Sequence, residues 1–202
     1  NKFESSIAIG KENIFFLNTF GSLYSLSKKD NDINWFINLN RSNKSIIRSI
    51  FQSKDIIYQK NNILVPTNEK LYSINSNLGN INWELPIKIK TKPIIITNTI
   101  YFISEKNFLV CLNEKNGKII YSKNILNKLN KNIKIKKFIV NSMLMANNKI
   151  LIFFNDNKVA EISLDGELRK IKNLNHKKSL NPIIVNENLY YLNKANSLVV
   201  FN

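Results

Sequence analysis

Imidazole and thiol, the side chains that most often ligate zinc or carry nucleophilic catalysis, occur once each in this chain and far apart. His176, in "NLNHKKSLNP", is the only histidine, and Cys111, in "LVCLN", is the only cysteine. A structural zinc site needs about four nitrogen or sulfur ligands, and a hydrolytic triad needs a nucleophile beside a positioned base. One imidazole and one thiol supply neither. His176 reads as a loop residue exposed between two apolar runs, and Cys111 as a small buried hydrophobe with no partner for an intrachain disulfide. The carboxylates are scattered: Asp30 and Asp32 fall in a polar turn, Glu84 follows Trp83, and Asp156, Glu161, Asp165 and Glu167 fall at polar repeat positions. The phrase "IAIGKEN" has a Gly-Lys pair but lacks the G-x-x-x-x-G-K-[ST] spacing that wraps a phosphate, so it reads as a strand and hairpin turn. No catalytic residue, cofactor site or metal site is assigned.

The remaining chemical signal is charge. The chain carries 30 Lys+Arg against 14 Asp+Glu, a formal net charge of +16 over 202 residues. Such an excess raises the expectation of a nucleic-acid or anionic-surface partner. The distribution argues against it, because only Arg41, Arg48 and Arg169 are arginines and the lysines are spread along the chain among abundant Asn and Ile. We read the excess as compositional. The densest run, "KLNKNIKIKK" at 128–137, alternates with apolar residues in the manner of a charged strand edge.

One pattern of type and spacing does recur. Asn31, Gly79, Gly117 and Gly166 each stand four residues before Trp35, Trp83, Tyr121 and Lys170. A position filled only by Gly or Asn calls for positive φ. A bulky ring at a fixed distance after such a turn calls for one packing site, used repeatedly. The phrases "LYSLSKKDNDINW" at 23–35 and "LYSINSNLGNINW" at 71–83 show the unit most plainly.

The elements around that spacing repeat as well. Five third strands read "LYSLS", "LYSIN", "LVCLN", "VAEIS" and "LVVFN"; each is preceded by "IFFL", "ILVP", "IYFI", "ILIF" or "LYYL", and before these lie "SIAI", "DIIYQ", "PIII", "SMLMA" and "PIIV". Four copies continue through a polar turn into "INWFI", "INWEL", "IIYSK" and "ELRKI". Four short strands per period, separated by Asn, Gly, Ser and Lys turns, predict antiparallel meanders stacked as blades. No apolar run approaches the roughly 18 to 20 residues needed to cross a bilayer as a helix.

The expected architecture is therefore an all-β propeller, a single portion spanning 1–202 with repeats at approximately 1–40, 41–87, 88–126, 127–175 and 176–202. Because a blade cannot bury both faces alone, Trp35, Trp83 and Tyr121 with Gly79, Gly117 and Gly166 are expected to fasten neighbouring blades. Lys170 breaks that rule, which predicts a weaker fourth contact. The last copy stops after its third strand, so we expect its fourth strand to come from upstream sequence and the intact ring to hold seven or eight blades. Signal peptide and lipid anchor are not legible.

The phrases "LNEKNGKIIYSKNI" and "INSNLGNINWELPI" resemble the repeat of pyrroloquinoline-quinone-type propellers, and the resemblance covers all five copies. Within that superfamily, "NPIIVNENLYYLNKANSLVVFN" is similar to the carboxy-terminal end of the outer-membrane assembly factor B family. That resemblance implies a non-catalytic periplasmic lipoprotein scaffold. Its partners would be the periplasmic domains of the barrel-forming assembly subunit, and its place the periplasmic face of the outer membrane. The loop "NRSNKSIIRSIFQSK", from Asn40 to Lys54, is the long interblade connection on which such docking is expected, with Arg41, Lys44 and Arg48 as contact candidates.

Two rivals share parts of this pattern. A quinone-dependent dehydrogenase would need oxygen ligands for a divalent ion, an aspartate base and, in many relatives, adjacent cysteines; a single cysteine excludes that pair in this stretch. A nucleic-acid-binding propeller would interleave aromatics with basic residues on an exposed face, whereas these aromatics fall at blade-core positions. The expectation is a scaffold, with a quinone-dependent dehydrogenase or other propeller enzyme as the alternative.

Overall fold

A computed structural model describes residues 6–40, 51, 53–125, 139–155, 157–174, 181–186 and 188–201. Arg41, Lys44, Arg48, Asp156, His176 and the basic stretch 128–137 lie outside the described residues. Every named element among those described is a β-strand. The runs that form them are rich in Ile, Leu, Val, Phe and Tyr and too short for a helix of ordinary length, while Asn, Gly and Lys fill the gaps.

The strands form five antiparallel sheets, each a meander in which sequence neighbours pair. The first holds β1 (Ser6–Ile9), β2 (Asn13–Leu17), β3 (Ser22–Ser27) and β4 (Ile33–Asn38). The second holds β5 (Ile57–Gln59), β6 (Asn62–Pro66), β7 (Leu71–Asn75) and β8 (Ile81–Leu85). The third holds β9 (Ile94–Ile96), β10 (Thr99–Ile103), β11 (Phe108–Asn113) and β12 (Ile119–Asn124). The fourth holds β13 (Val140–Ala146), β14 (Lys149–Phe154), β15 (Lys158–Ser163) and β16 (Leu168–Asn173). Among the described residues the fifth sheet has three strands, β17 (Ile183–Val185), β18 (Asn188–Leu192) and β19 (Leu198–Phe201). The fold is all-β, and the segments read as third strands from sequence coincide with β3, β7, β11, β15 and β19.

The chain divides into two compact units, Asn1–Ile89 with Asn113–Lys118, and Lys90–Leu112 with Ile119–Asn202. In the first, Phe15, Leu17 and Leu23 of the first sheet pack against Ile63, Val65, Tyr72 and Ile74 of the second, and Trp35 and Ile37 pack on the edge of that cluster. In the second, Tyr101, Ile103, Leu109 and Cys111 of the third sheet face Ile150, Ile152, Ala160 and Ile162 of the fourth. The reverse face of the fourth sheet, through Phe153 and Val159, packs on Leu189 and Tyr191 of the fifth. Each core is thus sheet on sheet, and full burial of each such aliphatic side chain contributes about 1.5–3 kcal/mol.

The third and fourth strands of each complete sheet share a local irregularity. The register shifts between Ser25 and Leu26, Ser73 and Ile74, Cys111 and Leu112, and Glu161 and Ile162. A bulge of this kind bends the strand and re-aims the side chain beside it. The residues opposite the last regular pair are Trp35, Trp83, Tyr121 and Lys170.

Candidate functional site: the docking positions between sheets

The turn after each third strand is built by short-range hydrogen bonds. The amide of Gly79 donates to the Asn75 carbonyl at 2.9 Å, Gly117 to Asn113 at 2.9 Å and Asn31 to Ser27 at 3.0 Å. In two of these turns an Asn side chain completes the loop: Asn75 Oδ1 accepts from the amides of Asn77 and Leu78, and Asn113 Oδ1 from those of Lys115 and Asn116. Such side-chain turns are the reason Asn is favoured there. The fourth turn is one residue tighter, Gly166 donating to Ser163 at 2.8 Å. Asn31, Gly79, Gly117 and Gly166 all have positive φ, between 63° and 81°.

Three of these turns seat a ring. The Trp35 indole Nε1 donates to the Ser76 carbonyl at 3.0 Å, Trp83 Nε1 to the Glu114 carbonyl at 2.8 Å, and the Tyr121 hydroxyl to the Leu164 carbonyl at 2.6 Å. Ser76, Glu114 and Leu164 hold the same place, immediately after the third strand. The ring lies flat on the turn glycine: a Cβ added to Gly79 would stand 2.8 Å from Trp35, on Gly117 2.7 Å from Trp83, and on Gly166 2.8 Å from Tyr121. Glycine is therefore required twice at these positions, once for φ and once for space.

The electrostatics follow from this packing. Burial pushes the Tyr121 phenol far above its ordinary range, which keeps it a donor to Leu164. Lys123 lies 5.4 Å from the Tyr121 ring centre and reaches the Asp165 carbonyl and the Glu167 carboxylate, adding a cation to the same seat. Opposite the three rings stand the small residues Ser25, Ser73 and Cys111, all buried. Burial likewise raises the Cys111 thiol, so it is held as a neutral filler rather than a thiolate. In the fourth sheet the pattern changes: Glu161 faces Lys170, and Lys170 is exposed. The Glu161 carboxylate is held below its usual range, first by its hydrogen bond from Lys172 at 2.8 Å and further by Lys149 at 3.6 Å.

The other described acidic residues singled out from sequence are taken up by separate local partners. Glu84 pairs with Lys70 at 2.7 Å, and Asp165 is bonded by the Ser163 hydroxyl and lies 4.0 Å from Arg169. Asp30 has its carboxyl held low chiefly by Ser27. Among the described residues no group of three or more His, Cys, Asp or Glu is placed to hold a metal ion. An open polar recess of about 180 Å³, bordered by Lys11, Glu12, Tyr58, Asn61 and Asn77, sits at one end of the first two sheets. Its volume is below the roughly 300 Å³ at which small-molecule sites begin. A second recess beside Leu109 and Gly166, about 10 Å³, holds at most one water.

The acceptor carbonyls of Ser76, Glu114 and Leu164 were not legible from residue type, because a backbone acceptor leaves no mark on the side chain that carries it. Their place after a third strand is the one signal that could have located them.

Four-stranded antiparallel meanders that seat a side chain on the next turn in this repeated way are the blades of a β-propeller. No family model and no curated protein matches the sequence. Among solved structures the chain is similar to BamB from Moraxella catarrhalis, with 12% identity, a TM-score of 0.57, and 96% of this chain and 70% of that chain covered. It is also similar to the computationally designed Ika8 protein, with 8% identity, a TM-score of 0.70, and 98% and 58% of the two chains covered. At these identities the likeness is one of fold.

Proposed function

We propose that this chain is a non-catalytic scaffold for protein interaction, a subunit of the machinery that assembles β-barrels into the outer membrane. The observation that carries the reading is the use of its distinctive side chains. Trp35, Trp83, Tyr121, Gly79, Gly117 and Gly166 act between sheets, Cys111 fills a core, and the described carboxylates Glu84, Glu161, Asp165 and Glu167 pair with nearby cations or hydroxyls. A rigid frame of that kind presents loops, and binding resides on loops. The likeness to BamB supports the assembly role, as does the repeat resemblance carried by "NPIIVNENLYYLNKANSLVVFN".

On this reading the partner is the set of periplasmic domains of the barrel-forming subunit, reached through the loop bearing Arg41, Lys44 and Arg48. The place of action is the periplasmic face of the outer membrane, with a lipid anchor upstream. Neither nucleic acid nor a cofactor takes part. The test is a titration of this chain with those periplasmic domains, read by calorimetry, beside a titration with pyrroloquinoline quinone and Ca²⁺. Saturable protein binding and no quinone binding support the scaffold; tight quinone binding with turnover of an alcohol or sugar establishes the dehydrogenase instead.

A further inference from the structure

Asn116 is the one asparagine of this chain that is followed by glycine. That neighbour matters chemically, because a main-chain nitrogen reaches the preceding carboxamide most readily when its own residue has no side chain to screen it. Other turn asparagines at positive φ, such as Asn107, Asn157 and Asn196, precede Phe108, Lys158 and Ser197. Asn116 is exposed, and its side chain folds forward over the Gly117 peptide, Oδ1 accepting from the Lys118 amide at 3.0 Å.

Two contacts hold the Gly117 nitrogen back. Its N–H donates to the Asn113 carbonyl at 2.9 Å, and the Trp83 ring covers the residue so closely that an added Cβ would stand 2.7 Å away. Attack on Asn116 requires that N–H to give up its proton and swing toward the carboxamide, which breaks the first contact and pushes against the second. Trp83 is pinned in turn through Nε1 to the Glu114 carbonyl at 2.8 Å, in the same compact unit as the turn. The related pair Asp165–Gly166 carries a different leaving group. Its carboxylate accepts from the Ser163 hydroxyl and the Glu167 amide, and the Ser163 bond above all holds it ionised, which makes it a poor electrophile.

We infer that Asn116 is a site of spontaneous deamidation whose rate is gated by the Trp83 ring, and whose isoaspartyl product releases that ring from its turn. The Gly117 nitrogen bonds to Cγ of Asn116, the Cγ–Nδ2 bond breaks, and Nδ2 leaves as ammonia with the proton that the Gly117 amide gives up. Water then opens the cyclic imide. Attack at Cγ leaves aspartate; attack at the main-chain carbonyl leaves isoaspartate, with the chain routed through Cβ and Cγ. The two products differ in consequence. Aspartate before glycine is already accommodated at Asp165, where the next turn seats Tyr121. Isoaspartate inserts one carbon between the Asn113 carbonyl and Gly117, so the closing hydrogen bond and the flat seat under Trp83 are lost together. The chemistry is the same whatever the loops bind.

The test incubates the 202-residue chain at mildly alkaline pH and follows each asparagine by peptide mass spectrometry, beside Trp83→Phe and Asn116→Asp. Asn116 is expected to lose its amide before Asn75, Asn141 and Asn196, the asparagines followed by serine. Loss should be at least about fivefold faster in Trp83→Phe, as for a site that reacts only from an opened turn. Urea below the unfolding midpoint should speed it in the wild type, which checks the gate without a variant. The isoaspartyl fraction should unfold at lower urea than fresh protein, while Asn116→Asp keeps the wild-type midpoint. Loss at Asn116 no faster than at the Asn-Ser pairs would overturn the inference, as would one rate in wild type, Trp83→Phe and dilute urea. An isoaspartyl fraction as stable as Asn116→Asp would refute the release of the ring.

Discussion

A single glycine hydrogen decides whether a ring can lie on each turn. Gly117→Ala places a methyl group 2.7 Å from the Trp83 ring and strains a φ of 67°. We expect a loss of about 1–3 kcal/mol in urea unfolding, whereas Asn31→Gly, at a turn that seats no ring among the described residues, should change stability by less than about 1 kcal/mol. Trp83→Phe keeps most of the ring and removes the donor to Glu114, so it should cost about 1–3 kcal/mol for the orphaned buried carbonyl and the lost ring area. Tyr121→Phe separates burial from titration. Its folded-state pKa is raised above the ordinary 10.0, so the stability it gives is fully present below pH 10 and is lost as pH rises through the folded value. Part of the alkaline fall in the urea midpoint should therefore disappear in Tyr121→Phe. The ring positions and their glycines stand out in sequence because side-chain type carries them; the carbonyls of Ser76, Glu114 and Leu164 do not, because any residue supplies one.

At the scale of the element, the bulge after Ser25, Ser73, Cys111 and Glu161 aims the fourth-strand residue at its neighbour, and the residue opposite sets how much room it has. Serine and cysteine make room for a ring, while glutamate at 161 takes a salt link to Lys172 and Lys149. The Glu161 pKa is lowered below 4.5, so its contribution is present above that pH and lost as pH falls through the folded value. Glu161→Gln should flatten the acid limb of stability between about pH 5 and pH 3, measured by urea midpoints. The strands themselves were legible, since alternating apolar runs between Asn and Gly turns recur five times. The register was not, because the bulge adds Asn34, Asn82, Ile120 or Arg169 with no common residue type to announce it.

For the whole molecule, the frame is a set of propeller blades in which the chemically distinctive side chains hold sheets together, and the proposed scaffold role places binding on the loops. Fold class was written in the repeat, whereas the partner was not. Arg41, Lys44 and Arg48 are marked only by their place in a long loop, and charge in a chain of +16 has little power to single out any lysine or arginine. Low identity to BamB carries architecture without carrying the contact residues. The measurement that bears most directly on the scaffold is calorimetric titration of this chain, wild type and Arg41→Glu/Lys44→Glu/Arg48→Glu, with the periplasmic domains of the barrel-forming subunit. The account predicts saturable binding by the wild type, weakened at least about tenfold in the triple variant with its urea midpoint unchanged. Absence of wild-type binding, together with tight uptake of quinone and Ca²⁺, would contradict it.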